Sequence, residues 1–156
     1  TIRTAYGPLT EQWNVISVNA PGFVGVTRGP ECDERIRHHQ LVAIKRRSAA
    51  GFQLAVTQWL KLGDEGDLAI GLRIWNGAPR LIRLAVADVD GAVSINAVSL
   101  PSVPELHLPE TIVLEPGVFQ PGLSVELMAD TNRKARLTRL TERGADFERA
   151  AFELVE

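Results

Sequence analysis

The sequence predicts an all-β protein, a small antiparallel β-barrel followed by a second small β unit. Three observations carry that expectation. Short runs rich in Val, Ile and Leu alternate apolar and other residues with a period of two. Turn residues interrupt these runs at intervals of about 8 to 14 residues, the rhythm of antiparallel barrels and sandwiches. Even the most helix-like segment, "DFERAAFELV", makes no clean helical face with Phe147, Arg149, Ala151 and Leu154.

Along the chain, "WNVISVNAPGFVGVTRG" (Trp13–Gly29) reads as two strands around a corner at Asn19-Ala20-Pro21-Gly22. "QLVAIKR" (Gln40–Arg46) is a strand, and Ser48–Gly51 turns the chain. In "FQLAVTQWL", alternation sets Phe52, Leu54, Val56 and Gln58 against Gln53, Ala55, Thr57 and Trp59. After the loop Gly63–Asp67, "LAIGLRIW" sets Leu68, Ile70, Leu72 and Ile74 against Ala69, Gly71, Arg73 and Trp75. Asn76-Gly77 is the best tight-turn dipeptide, because both residues tolerate positive φ.

"RLIRLAV" (Arg80–Val86) is a further strand, Asp88–Gly91 a turn, and "AVSINAV" another strand. "LPSVPELHLPET" is rich in proline, which lacks a ladder donor, so it reads as a linker or irregular edge. Strands then fall at Thr111–Leu114, Leu123–Ala129 and Lys134–Arg143. Asp146 could cap a helix in the tail, but a closing strand is the favoured reading. No internal repeat is visible. The two halves read as successive β units, or as one barrel with a β extension.

Residues 1–90 carry 11 Lys/Arg against 9 Asp/Glu, and residues 91–156 carry 6 against 10. This charge split places the expected boundary at residue 90, with a barrel over 1–90 and the second unit over 91–156. The whole chain has a net charge of −2, with none of the basic excess of nucleic-acid binders. Its single cysteine, Cys32, excludes an internal disulfide framework and makes the cytoplasm the default compartment. No run of 18 apolar residues spans a membrane. The chain opens on Thr1 rather than Met, which reads as a processed or truncated start with residues expected upstream.

No catalytic constellation emerges. There is neither a Gly-x-Ser-x-Gly elbow nor a Gly-Lys-Ser/Thr phosphate loop. His38 and His39 are adjacent, so an extended backbone points them to opposite faces, and Cys32 has no second cysteine nearby. A metal site is therefore not expected. The acidic groups Glu31, Asp33, Glu34 and Asp64, Glu65, Asp67 fall in predicted loops and read as solvated turns. The basic groups Arg35, Arg37, Lys45, Arg46, Arg47 and Arg133, Lys134, Arg136, Arg139 read as solvated faces, with a phosphate- or guanine-binding patch as the minority reading. Trp13, Trp59 and Trp75 are expected to pack; exposed together, Trp59 and Trp75 would mark a partner site.

The first ninety residues resemble a PilZ domain, through "WNVISVNAPGFVGVTR", "LVAIKRR" and "FQLAVTQWLKLGDEGDLAIGLRIW". The tail resembles the C-terminal part of larger bacterial proteins that carry PilZ-like domains. The resemblance implies a split-barrel fold and cyclic di-GMP as ligand. Two motifs hold the nucleotide in that family: Arg-x-x-x-Arg before the barrel, and Asp/Asn-x-Ser-x-x-Gly in an early corner. Here the corner motif aligns as Ser17-Val18-Asn19-Ala20-Pro21-Gly22. Ser17 stands for Asp/Asn, Asn19 stands for Ser, and Gly22 is retained. Ser17 lacks the paired acceptors a carboxylate offers, a loss of about 1–3 kcal/mol inside a site. The Arg-x-x-x-Arg motif is absent: Arg3 is followed at the required spacing by Gly7, and Arg35-Ile36-Arg37 is too close-set.

These departures imply a non-catalytic regulatory or protein-interaction module of a bacterial protein, without a cofactor. Its partner is expected to be a protein or other domains of a larger chain. The alternative is a functional cyclic di-GMP receptor using Ser17, Asn19 and Gly22 with Arg3, Arg35 and Arg37.

Overall fold

The computed structural model describes residues 2–6, 9–32, 35–88 and 91–156. Its contacts divide the chain into two compact units, Thr1–Ala78 and Pro79–Glu156. The first contains β1 (Ile2–Tyr6), β2 (Leu9–Ala20), β3 (Phe23–Arg28), β4 (Leu41–Arg46), β5 (Gln53–Leu62) and β6 (Leu68–Ile74). The second contains β7 (Arg80–Asp88), β8 (Gly91–Leu100), a 3-10 turn at Pro104–Leu106, β9 (Thr111–Leu114), β10 (Ser124–Met128), β11 (Asn132–Arg143) and β12 (Glu148–Leu154). The protein is all-β, as its alternation predicts, and the tail Glu148–Leu154 is a strand.

The unit boundary lies before β7 rather than at residue 90. Arg80–Asp88 pairs with β8 and β10, so its ladder partners all lie downstream. The charge split falls inside that hairpin because it follows surface residues and not strand pairing. Asn76-Gly77 is likewise no hairpin turn: β6 pairs with β3 and β5, and the dipeptide leads into the second unit. Residues 89 and 90 of the predicted Asp88–Gly91 turn lie outside the described residues, as do Asp33 and Glu34.

Both units are closed barrels, which removes the open end edges of a flat sheet. The first closes in the order β1-β2-β3-β6-β5-β4, the second in the order β7-β8-β9-β12-β11-β10. Numbered within each unit, these are the same order. The sequence shows no repeat, but the fold contains one.

The likeness extends to details. In each barrel the fifth strand carries a bulge against the sixth, with Gln58 extra in β5 and Thr138 extra in β11. In each, the connector from third to fourth strand bonds to the residue just before that bulge. His39 N–H donates to the Thr57 carbonyl (2.9 Å), and Thr57 N–H to that of Gln40 (3.0 Å). Gly122 N–H donates to the Leu137 carbonyl (2.8 Å), and Leu137 N–H to that of Leu123 (2.9 Å). Both connectors take positive φ at the matching residue, +52° at His39 and +82° at Gly122. Glycine adopts that region freely, whereas histidine is strained there.

The interiors follow the alternation. Trp13, Val24, Val26, Ile44, Ala55, Ile70 and Leu72 line the first core, against which the connector residue Ile36 packs. Leu84, Ile112, Leu127, Leu137 and Ala150 line the second, met by Val118, Phe119 and Leu123 of its connector. The aliphatic stripe Leu54/Val56 is buried but does not belong to the first core; Ala55, on the opposite face of β5, does.

Candidate functional site

The β2–β3 corner is built by two bulges and a glycine. Opposite β3, β2 carries Ile16 and Asn19 as extra residues. Such insertions sharpen strand twist and re-aim neighbouring side chains. Gly22 turns the chain at φ +82°, and its carbonyl accepts the Ile74 N–H at 2.7 Å, tying the corner to β6.

Beside the corner, one row crosses four strands: Ser17 opposite Gly25, Gly25 opposite Gly71, and Gly71 opposite Trp59. A Cβ on Gly25 would collide with the Ser17 hydroxyl, and one on Gly71 would collide with the Trp59 indole. The two mid-strand glycines therefore exist to let these side chains lie flat on the barrel. Ser17 and Trp59 stand at the ends of the row, three strand spacings or ~14 Å apart.

Strict alternation puts Trp59 on the face of Ala55 and Thr57, which is the inner face. The Gln58 bulge reverses the parity, and the indole lies outside with 43% of its surface exposed. Trp13 and Trp75 are buried. Sequence reasoning raised Trp59 only as half of an exposed pair with Trp75, which is buried, and did not single out Gly25 or Gly71; two glycines inside otherwise strong strands are the signal that marks the row.

Ser17, Asn19 and Gly22 thus share one corner, although the side chain of Asn19 lies outside the described residues. The arginines are placed elsewhere. Arg3 is on β1, with backbone partners Gln12 and Lys45. Gln12 precedes Ser17 by five positions on β2, or ~16 Å of strand. The side chain of Arg3 lies outside the described residues. Arg35 and Arg37 are in the β3–β4 connector with exposed side chains. Arg37 is anchored by its backbone: its N–H donates to Gln40 Oε1 (2.8 Å), and its carbonyl accepts the Thr57 hydroxyl (2.6 Å). Among the described residues, no hydrogen bond or ion pair joins Arg35 or Arg37 to the corner.

The strongest polar cluster of the first barrel lies elsewhere on β2. Arg28 donates to both oxygens of Glu11 at 2.7 Å, and the Trp13 indole N–H donates to the same carboxylate at 2.8 Å. Hydrogen bonds from Arg28 hold the Glu11 carboxyl below the usual carboxylate range, and Glu11 in turn raises Arg28. Cys32 lies beside this pair. Burial, and then the negative charge of Glu11, pushes its thiol up, away from a reactive thiolate.

In the second barrel, Arg133 makes a two-pronged bond to Glu110 (2.8 and 3.1 Å), which also accepts from Ser99. These bonds, Arg133 foremost, lower the Glu110 carboxyl. The buried Glu148 accepts the Gly117 N–H (2.5 Å) and Arg143 (2.9 Å), fixing the β9–β10 connector. A shallow pocket of about 300 Å³ is lined by Ala85, Ala87, Ala92 and Ala135, with the cross-strand neighbours Glu126 and Lys134 beside it. Among the described residues, no group of three or more His, Cys, Asp or Glu is placed to hold a metal. No helix there is long and apolar enough to cross a membrane.

Residues 85–155 match the family model described as the FimW C-terminal beta-barrel domain. The match begins within β7 and ends just past β12, so it covers nearly the whole second barrel. No curated protein and no solved structure matches the chain. The second barrel is therefore similar to a β-barrel domain of bacterial type, and its closure in the structure agrees with that description. The FimW-type match leaves out residues 1–84 and with them the corner.

Proposed function

We propose that the chain is a non-catalytic, tandem β-barrel module of a bacterial protein, acting through a protein partner or on other domains of a larger chain. The observation that supports this reading is the apolar corner of the first barrel. Ile16 (56% exposed), Val18 (68%), Phe23 and Trp59 present large hydrophobic side chains on and beside the β2–β3 hairpin. Grouped exposure of this kind marks interaction surfaces, whereas isolated apolar residues carry no such meaning. The similarity of the second barrel to a domain described only by its barrel fits the same reading. Isothermal titration with cyclic di-GMP tests it: no heat at micromolar nucleotide is expected, and micromolar or tighter binding overturns it.

A second reading, a cyclic di-GMP receptor, is favoured by one observation. Gly22 sits at positive φ and turns the chain where the family motif needs its glycine. On that reading Asn19→Ala weakens nucleotide binding at least about tenfold, or 1.4 kcal/mol. An unchanged affinity removes the corner as the nucleotide site.

A further inference from the structure

On the outside of the first barrel, β3, β6 and β5 form a face whose strands are each paired on both sides. Their backbone groups are engaged in those ladders, so a ligand is recognised there by side chains. Three rows cross the face. Phe23 lies opposite Arg73, Gly25 opposite Gly71 and then Trp59, and Thr27 opposite Ala69 and then Lys61. The pyrrole edge of the Trp59 indole occupies the space above Gly71, so one side of the ring lies on the backbone and the other turns outward. Phe23, one row along, is exposed as well. The result is a flush aromatic surface.

The charge on this face has one sign. Across residues 12–27, 52–62 and 68–78, the only charged residues are Lys61 and Arg73. Lys61 is exposed and Arg73 half-buried. They flank the Trp59 row, one row to either side, with their backbones about 14 Å apart. An extended chain covers that distance in about four residue steps. Two carboxylates at that spacing reach both cations while the residues between them cross the indole. Proline suits those places: its ring is flat and apolar, and a polyproline II segment is extended before it binds and needs no ladder partner. Nucleic acid is less well matched. Two cations make no phosphate track, and the acidic loop with Asp64, Glu65 and Asp67 begins just past Lys61.

We propose that this face docks an acidic, proline-containing segment of a partner protein, of the pattern Glu-Pro-Pro-Pro-Glu. Proline stacks on Trp59, and the two carboxylates meet Arg73 and Lys61. This rests on the interaction reading of the barrel and names the partner's chemistry. A contact so small and flat is weak, with Kd of roughly 0.1–1 mM.

Two-dimensional amide NMR of the isotope-labelled whole chain, titrated with the terminally blocked peptide Gly-Glu-Pro-Pro-Pro-Glu-Gly, tests the proposal. Shifts are expected at the Trp59 indole N–H and at the amides of Gly25 and Gly71, with an affinity that falls as salt is added. Replacing both peptide glutamates by lysine, or the prolines by glycine, is expected to weaken binding at least about tenfold. Trp59→Ala is expected to do the same. Lys61→Glu changes an exposed site, so the barrel persists, which the dispersion of the amide spectrum verifies. It is expected to weaken the glutamate peptide about threefold and to improve binding of the lysine peptide. No shifts at about 5 mM peptide, shifts centred elsewhere, or W59A and K61E variants that bind like the wild type overturn the proposal. Tighter binding of oligothymidylate at the same signals also overturns it, in favour of single-stranded nucleic acid. Cyclic di-GMP tests the parent reading separately. Its micromolar binding overturns the non-nucleotide module whatever the peptide does, whereas a failed peptide without nucleotide binding removes only the acidic, proline-containing partner.

Discussion

Replacing Glu11 by glutamine is the sharpest probe of the first barrel. The Glu11 carboxylate accepts three N–H groups, two from Arg28 and one from Trp13. Glutamine keeps one acceptor oxygen and turns an NH2 group toward a guanidinium that is itself a donor. The Arg28 side chain is 7% exposed and that of Glu11 16%, so water replaces little of the lost charge. Removing one partner of a buried pair costs about 3–5 kcal/mol. The partial exposure of Glu11 puts the expected loss at the lower end, ~3 kcal/mol. With a urea slope of ~1 kcal/mol/M for a unit this small, the midpoint falls by ~3 M. All three tryptophans belong to the first unit, so indole fluorescence reports on that barrel. The folded Glu11 carboxyl is depressed, so its contribution is full above the ordinary carboxylate range and disappears as pH falls through the folded value. Stability of the wild type therefore drops toward acid more steeply than that of E11Q. Adding Arg28→Met to E11Q is expected to recover most of the loss, because no charge is then left unpaired. A loss below about 0.5 kcal/mol in E11Q, or no recovery in the double variant, refutes the reasoning.

Gly71→Ala puts a methyl group where the Trp59 indole lies and is expected to cost about 1–3 kcal/mol as an overpacked contact, read by urea unfolding with a red-shifted indole emission. The matched connectors are expected to respond unequally. Gly122→Ala forces a side chain into positive φ and is expected to lose about 1 kcal/mol, whereas His39→Gly relieves that strain and stays within about 0.5 kcal/mol of the wild type, both by thermal unfolding.

Period-two alternation is a local property, and what is local was legible. The runs in Gln40–Arg46, Phe52–Leu60 and Leu68–Trp75 became β4, β5 and β6, and the tail became β12. Ser48–Gly51 and Gly63–Asp67 turn the chain as their composition predicts. What depends on pairing was not legible. A single extra residue, Gln58, reverses which way Trp59 faces, and nothing in "VTQWL" announces it. The unit boundary follows the partners of Arg80–Asp88, which lie downstream of it. The Glu11–Arg28 pair joins residues 17 apart across two strands, and neither was a candidate from its neighbours in sequence. Gly22 shows the limit most plainly: its role in the turn was readable, but its bond to Ile74 belongs to the closed barrel.

The shared strand order also sets a timetable for synthesis. In each barrel the third strand pairs with the sixth, and the first with the fourth. Phe23–Arg28 therefore waits for Leu68–Ile74, and Thr111–Leu114 for Glu148–Leu154, before either ladder forms. Loop closure over such separations comes before any reward from contacts, so each barrel closes late and slowly. Because the first barrel is complete at Ile74, it can close while the second is still emerging from the ribosome. Two barrels in series let one chain finish a difficult topology before beginning to repeat it, and keep the strands of the two copies from competing for the same partners.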